Sequence, residues 1–246
     1  MLLSNFQKYA AFLLVTSSGL PSTTARGDNV DVVAIISSIQ EALGPTNVKG
    51  IYQFTNHRTD GTTNEYEVTM LIRNANMSHV SFEKPAREKG RSLLRLNDEI
   101  WSYAPSVGKI IRIADRDSFA GGDFSNADIL RIDWLQKYEP KLLKDLPKQW
   151  IIEMNAKTPD APYAQMRIWV DKSNKLPVQQ NHYDSKGTLL KQALYGSVKT
   201  LGGITRPVKV QMQNVITKQK SEMVVLALEK LNAIPDSRFV VDNLGK

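Results

Sequence analysis

The sequence has no cysteine. That excludes disulfides, thiolate zinc centres and cysteine nucleophiles. Histidine is almost as scarce: His57, His79 and His182 are scattered and share no metal-ligand spacing. No serine sits in a G-x-S-x-G elbow, no G-x-G-x-x-G opens a helix, and no phosphate-binding P-loop occurs. The nearest approach to paired carboxylates is Asp115 and Asp117, with Gly121 and Asp123 beyond them. Their spacing fails the EF-hand pattern, so they read as turn acids, and Asp123 reads as a residue that fixes its loop through backbone N–H groups. His79 and His182 fall in strand-like sequence and read as surface or half-buried side chains. No enzyme, metal or cofactor is expected.

Long apolar runs are also missing. Tyr9–Val15 is a short apolar core, far below the roughly 20 residues that span a bilayer. It follows Lys8, the one charge of residues 1–25, and precedes Ser17-Ser18-Gly19-Leu20-Pro21. Thr23-Thr24-Ala25 then offers small residues at the −3 and −1 positions. The pattern reads as a secretory signal over residues 1–25, cleaved after Ala25, with a disordered N-terminal arm as the alternative. Without a cysteine there is no lipobox, so the exported chain is expected to be free of a lipid anchor.

The chain carries a net charge of +7. A basic balance can mark nucleic-acid binding. Here, however, Lys84, Arg87, Lys89, Arg91 and Arg95 are interleaved with other types along strand-like sequence rather than forming a run. For an exported protein two readings stand: a basic exterior making transient contact with anionic lipid headgroups or an acidic partner, and ordinary solvated strand faces. Nucleic acid is not an expected partner.

Periodicity sets the organisation. Asp28 or Asn29 is placed to cap a helix over Val30–Leu43, with Val32, Ile35, Ile36, Ile39 and Leu43 on one face and Gly44-Pro45 ending it. From Val48 the period changes to two. Strands are expected over 48–55, 65–74, 77–83, 92–96, 99–104 and 109–114, separated by tight turns such as Asp60-Gly61 and Asn97-Asp98. Leu130–Tyr138 reads as a strand or a short helix, interrupted by Glu139-Pro140. Further strands are expected over 149–156, 164–171, 175–184, 189–200, 204–215 and 221–228, and the tail 234–244 reads as a closing segment anchored by Phe239 and Val241. Consecutive strands joined by tight turns make an antiparallel meander. A sheet of so many strands must curl or split, and curling gives it a concave face. Residues 28–246 therefore read as one mainly β (α+β) domain: a single strongly curved antiparallel sheet with helical segments packed on one side.

What the chain does have is aromatic and methionine side chains on many strands. Met70, Phe82, Trp101, Tyr103, Trp150, Met166, Met212 and Met223 recur along the run. Flexible thioethers suit an adaptable apolar surface, and they suit core filling equally well. Between the two halves lies an aromatic, glycine-rich loop, Phe119-Ala120-Gly121-Gly122-Asp123-Phe124.

These segments resemble one family. Lys89-Gly90-Arg91, then Trp101-Ser102-Tyr103-Ala104-Pro105-Ser106, then Ile110-Ile111-Arg112-Ile113, then Phe119–Ser125 is similar to the signature of LolA/LolB-like outer-membrane lipoprotein-sorting proteins. In the second half, Ile168-Trp169-Val170-Asp171-Lys172, Leu176-Pro177-Val178, Tyr183-Asp184-Ser185-Lys186-Gly187 and the closing Ile234-Pro235-Asp236 with Phe239 follow the family's order. Two positions depart: Gly122 stands where the family has serine, and Ala120 where it has methionine.

The resemblance implies a LolA-like half-barrel whose helices cover a hydrophobic cavity. It implies a periplasmic carrier that binds acyl chains of a lipoprotein or lipid and moves them toward the outer membrane, with an RND/MMPL-type inner-membrane exporter as a loading partner. The expected apolar cavity residues are Val68, Met70, Ile72, Phe82, Trp101, Tyr103, Ile111, Ile113, Trp150, Ile152, Met166 and Ile168. Phe119, Gly121, Gly122, Asp123 and Phe124 are expected to form a mouth loop or lid. Two rivals are an envelope sensor or adaptor of the same fold, and an envelope hydrolase using His79, His182 or Asp123.

Overall fold

The computed structural model describes residues 30–245. The expected signal segment 1–25, its cleavage point, and the capping positions Asp28 and Asn29 lie outside the described residues. The compact unit begins at Asp31. Helix α1 spans Val32–Leu43, two residues shorter at its start than its apolar spacing predicts. Asp31 is the cap: its carboxylate accepts the Ala34 amide at 3.0 Å, which satisfies one of the orphan donors of the first turn. Ile35, Ile36, Ile39 and Leu43 form the buried stripe.

Among the described residues, thirteen strands make one sheet. The first meander is β1 Val48–His57, β2 Thr63–Asn74, β3 Met77–Lys84, β4 Ser92–Leu96, β5 Glu99–Ala104 and β6 Lys109–Ile113. The second is β7 Tyr138–Asp145, β8 Gln149–Ala156, β9 Gln165–Asp171, β10 Pro177–Tyr183, β11 Leu189–Leu201, β12 Ile204–Asn214 and β13 Lys220–Lys230. The order is β6-β5-β4-β3-β2-β1-β13-β12-β11-β10-β9-β8-β7. The two meanders join where the first strand pairs the last, antiparallel, from Val48 opposite Lys230 to His57 opposite Lys220, with a bulge at Ile51/Tyr52. The sheet is open, with β6 and β7 as its edges. Strand β7 was hidden in the sequence because Pro140 interrupts it; on an edge, proline removes no ladder hydrogen bond that the fold requires.

The segment between β6 and β7 has to connect the two opposite edges. It holds a 3-10 turn at Phe119–Gly121, helix α2 Asn126–Leu130 and helix α3 Trp134–Lys137. A capping box starts α2: Ser125 Oγ accepts the Asp128 amide and Asp128 accepts the Ser125 amide. The main core joins both meanders to this segment. Phe54, Val68, Met70, Val80, Phe82, Leu93 and Ile100 from one half meet Val208, Val210, Met212 and Val225 from the other, with Phe119, Phe124, Ile129 and Leu130 laid on them.

The opposite face carries a smaller cluster. Leu94 packs with Ile234, Phe239 and Leu244 of the C-terminal segment, and Trp101, Tyr103, Leu71 and Met77 lie against it. Both faces of β4 and β5 are therefore covered, which is why period-two alternation is weak there.

Arg95, expected among the alternating basic residues of the exterior, is instead wholly buried. Its Nη2 meets Asp133 Oδ2 at 2.7 Å, its Nη1 donates to the Leu130 carbonyl at 2.8 Å, and its Nε donates to the Asn97 carbonyl at 2.9 Å. Arg131 continues the network through Asp115 at 2.6 Å and Asp98 at 3.2 Å. Burial pushes the Arg95 guanidinium down, with Asp133 opposing that fall. Burial also works against the Arg131 charge, but Asp115, Asp133 and Asp98 outweigh it and raise its pKa. This network ties the α2–α3 region to the β4–β5 hairpin.

Candidate functional site

A cavity of about 80 Å³, open in part to solvent, lies against the inner face of the sheet. Its strand wall comes from both meanders: Tyr52, Met70, Ile72, Met166, Val210, Met212 and Met223. Residues 127, 129, 132 and 134 of the crossing segment, with Leu43 at the end of α1, line it as well. Three of the four lining methionines, Met70, Met166 and Met212, are almost fully buried.

The placement of the expected cavity residues is uneven. Met70, Ile72 and Met166 line the cavity. Val68, Phe82, Ile152 and Ile168 are buried completely and do not line it. Ile113 lies half-buried at the margin of the main core, and Trp150 half-buried under Lys172, whose Nζ is 5.5 Å from the ring centroid. Ile111 is 51% exposed on the edge strand. Trp101 and Tyr103 pack on the other face of the sheet, against the C-terminal segment. The register explains it: Leu93 opposes Ser102 and Leu94 opposes Trp101, so the inner-face residues of β5 are Ile100 and Ser102.

The glycine-rich loop sits inside the core. Phe119 and Phe124 are buried, with the Phe119 ring 4.7 Å from that of Phe54 and 5.8 Å from that of Phe82. Ala120, at φ 52°, is held by Asn56, whose Nδ2 donates to its carbonyl at 2.9 Å. Gly121, at φ 71°, takes the left-handed conformation that glycine adopts without cost. Asp123 is fixed by Ser221: the hydroxyl accepts its amide at 2.8 Å and donates to its carboxylate at 2.9 Å. Burial raises the Asp123 pKa, with the Ser221 hydrogen bond opposing. Of the loop residues, Phe124 reaches the cavity wall.

One wall is polar. The Tyr163 hydroxyl lies 3.0 Å from both Asp128 carboxylate oxygens, and the Lys191 ammonium is 3.6 Å from Asp128. The Tyr138 hydroxyl accepts the Tyr163 amide at 3.1 Å. Burial pushes the Tyr138 phenol up to about 12, and burial followed by the Asp128 charge holds the Tyr163 phenol well above its ordinary value. Gln180 donates to the Met166 sulfur at 3.1 Å and accepts the Tyr195 hydroxyl at 2.6 Å. The His182 ring packs against that of Tyr163, tilted by 53° with centroids 4.3 Å apart. It is 2% exposed, and burial lowers its pKa to about 4, so the ring is neutral near pH 7. Met166 and His182 of this wall stand out in the sequence; Asp128, Tyr138 and Gln180 do not. Buried Gln180, Asn181 and His182 in succession give no periodic signal, and Asp128 and Tyr163 reach the site from the short helix α2 and from the β8–β9 connection.

Residues 74–246 match the model of a protein family described as "Uncharacterized protein". The chain belongs to that family. No curated protein matches it. Among solved structures it is similar to a LolA superfamily protein from Nitrosomonas europaea, with 24% identity, TM-score 0.77, and coverage of 87% of this chain and 100% of that one. A DUF1329 family protein from Desulfovibrio piger matches with 19% identity, TM-score 0.75, and coverage of 87% and 98%. A domain from Vibrio parahaemolyticus, described as outer membrane lipoprotein-sorting, matches with 20% identity, TM-score 0.73, and coverage of 86% and 97%. The fold is that of the LolA superfamily, as the sequence resemblance implies. Among the described residues no helix is long and apolar enough to cross a membrane.

Proposed function

We propose that this protein is a periplasmic carrier that binds acyl chains of a lipoprotein or lipid and moves them toward the outer membrane. The observation that carries the reading is the methionine-lined cavity on the inner face of a LolA-type sheet, with Met70, Met166, Met212 and Met223 in its wall. Each buried methylene of an acyl chain contributes roughly 0.8 kcal/mol, so partial shielding is enough to carry a chain through water. Helix α1 and the α2–α3 region act as the cover in this reading, and methionine side chains adapt to chains of different shape. The residues proposed to contact cargo are Met70, Ile72, Met166, Met212, Met223 and Phe124. Secretion by a signal over residues 1–25, leaving 28–246 as the working domain, and loading by an RND-type inner-membrane exporter belong to the same proposal. No step of it involves catalysis.

The test is native mass spectrometry of the protein purified from its own envelope fraction, followed by lipid analysis under denaturing conditions. A co-purifying acylated species near one per chain supports the carrier and identifies its cargo. An empty protein that also fails to take up a fluorescent fatty acid rules it out.

A further inference from the structure

We propose that the His182 imidazole is a hydrogen-bonding anchor for a neutral acyl carbonyl, the ester or amide group that joins a fatty chain to the rest of its molecule; this rests on the acyl-binding reading above. His182 lines the cavity and is 2% exposed. Neither of its ring nitrogens has a hydrogen-bond partner among the described residues. A neutral imidazole offers one N–H donor and one acceptor lone pair, and buried polar groups of this kind are almost always paired.

The surrounding polar groups are already committed to one another. The Tyr163 hydroxyl is engaged by Asp128, and Gln180 by Met166 and Tyr195. The register sets Met166 on one side of His182 and Lys191 on the other, so the ring sits between an apolar and a charged neighbour. Met70, Ile72, Ile129, Ile132 and Met223 line the cavity beyond this wall. A ligand with a hydrocarbon chain and one polar linkage matches that division, with its chain against the apolar lining and its carbonyl accepting the imidazole N–H. The lone pair of the other nitrogen would accept an amide N–H where the ligand has one. The linkage is neutral because a free carboxylate needs a counter-charge, and Lys191 is already set against Asp128 at 3.6 Å.

The experiment is displacement of a fluorescent fatty-acyl probe from the purified full chain by methyl laurate, lauramide, laurate and dodecane, each delivered from cyclodextrin. His182→Phe and His182→Gln variants are compared with the unaltered protein. Methyl laurate and lauramide should bind more tightly than dodecane. His182→Phe should weaken both by about twofold to tenfold, the range of one net hydrogen bond, and leave dodecane unchanged. His182→Gln should keep part of the preference. An infrared measurement on the unaltered protein needs no variant: the carbonyl stretch of bound ¹³C-labelled methyl laurate should lie below its position in hydrocarbon solvent.

Equal ester affinity with and without the imidazole, or a carbonyl stretch at the hydrocarbon position, overturns the anchor and leaves acyl binding intact. A preference for laurate that is lost in Lys191→Met overturns the neutral class of ligand. Failure of all four compounds to displace the probe overturns the anchor, and failure of the probe itself to bind overturns the carrier reading as well.

Discussion

A Cβ atom on Gly122 would sit 2.2 Å from Asn56 Oδ1. The backbone at Gly122 is extended, φ −99° and ψ −166°, so a side chain is not excluded by its dihedral angles. It is excluded by neighbours. Asn56 is held by its bond to the Ala120 carbonyl, and Ser221 Oγ, 2.8 Å from the same point, is held by Asp123. The departure from the serine of the related signature thus has a packing cause: Asn56 and Ser221 occupy the space that a side chain at residue 122 would fill.

Gly122→Ser should therefore destabilise the protein by about 1–3 kcal/mol, the usual cost of overpacking a filled core. Urea unfolding measures it. Asn56→Ala, which opens the same space, should make the second change smaller in the double variant than in the single one. Equal and additive losses would show that the loop relaxes away from Asn56 instead.

The cavity can be blocked without adding charge. Ala193 lies on its wall and is 1% exposed, so Ala193→Phe places a ring where cargo is proposed to sit. Binding of a fluorescent fatty acid should fall at least tenfold while the circular dichroism spectrum is retained. Trp101→Ala is the control. Trp101 packs against the C-terminal segment on the other face, so its truncation should lower stability and leave binding intact.

That contrast marks what could be read from the sequence. The meander was legible because alternation from Glu65 to Asn74, or from Gln165 to Asp171, is clean wherever one face meets the core and the other meets water. Met70, Ile72 and Met166 follow from it. Trp101 and Tyr103 do not, because a C-terminal segment covers the outer face of β5 and makes both parities apolar there. Phe119 and Phe124 look like a lid in a glycine-rich stretch, yet a segment joining opposite edges of the sheet packs its aromatic rings onto Phe54 and Phe82. The polar wall of Asp128, Tyr163 and His182 comes from three distant segments, and no local spacing announces it.

Asp133 is 2% exposed and holds the buried Arg95 at 2.7 Å. Removing one partner of such a pair leaves the other charge without compensation. Asp133→Ala should cost about 3–5 kcal/mol, whereas replacing both with apolar residues, Arg95→Met with Asp133→Leu, should cost much less. Thermal unfolding of the three proteins decides it. A double variant as unstable as Asp133→Ala would place the worth of Arg95 in its bonds to the Leu130 and Asn97 carbonyls instead.

Acid should weaken the fold before most carboxylates titrate. Burial lowers both His182 and His79 from 6.5 to about 4, with the Arg238 charge adding to the effect at His79. In the unfolded chain these rings take up protons near pH 6.5; in the folded chain they resist until about pH 4. The unfolded state therefore binds more protons in that window, and stability rises with pH there. Their contribution is complete above pH 6.5 and is lost as the pH falls toward 4. Between pH 6.5 and 5 each histidine accounts for roughly 2 kcal/mol. Urea unfolding at pH 7 and pH 5 should show a clear loss in the unaltered protein. His182→Gln and His79→Gln should each reduce that loss, and the double variant should reduce it further, the two rings lying on opposite faces of the sheet and adding independently. A loss unchanged by either substitution would assign the acid sensitivity to the carboxylates of the Arg95–Arg131 network.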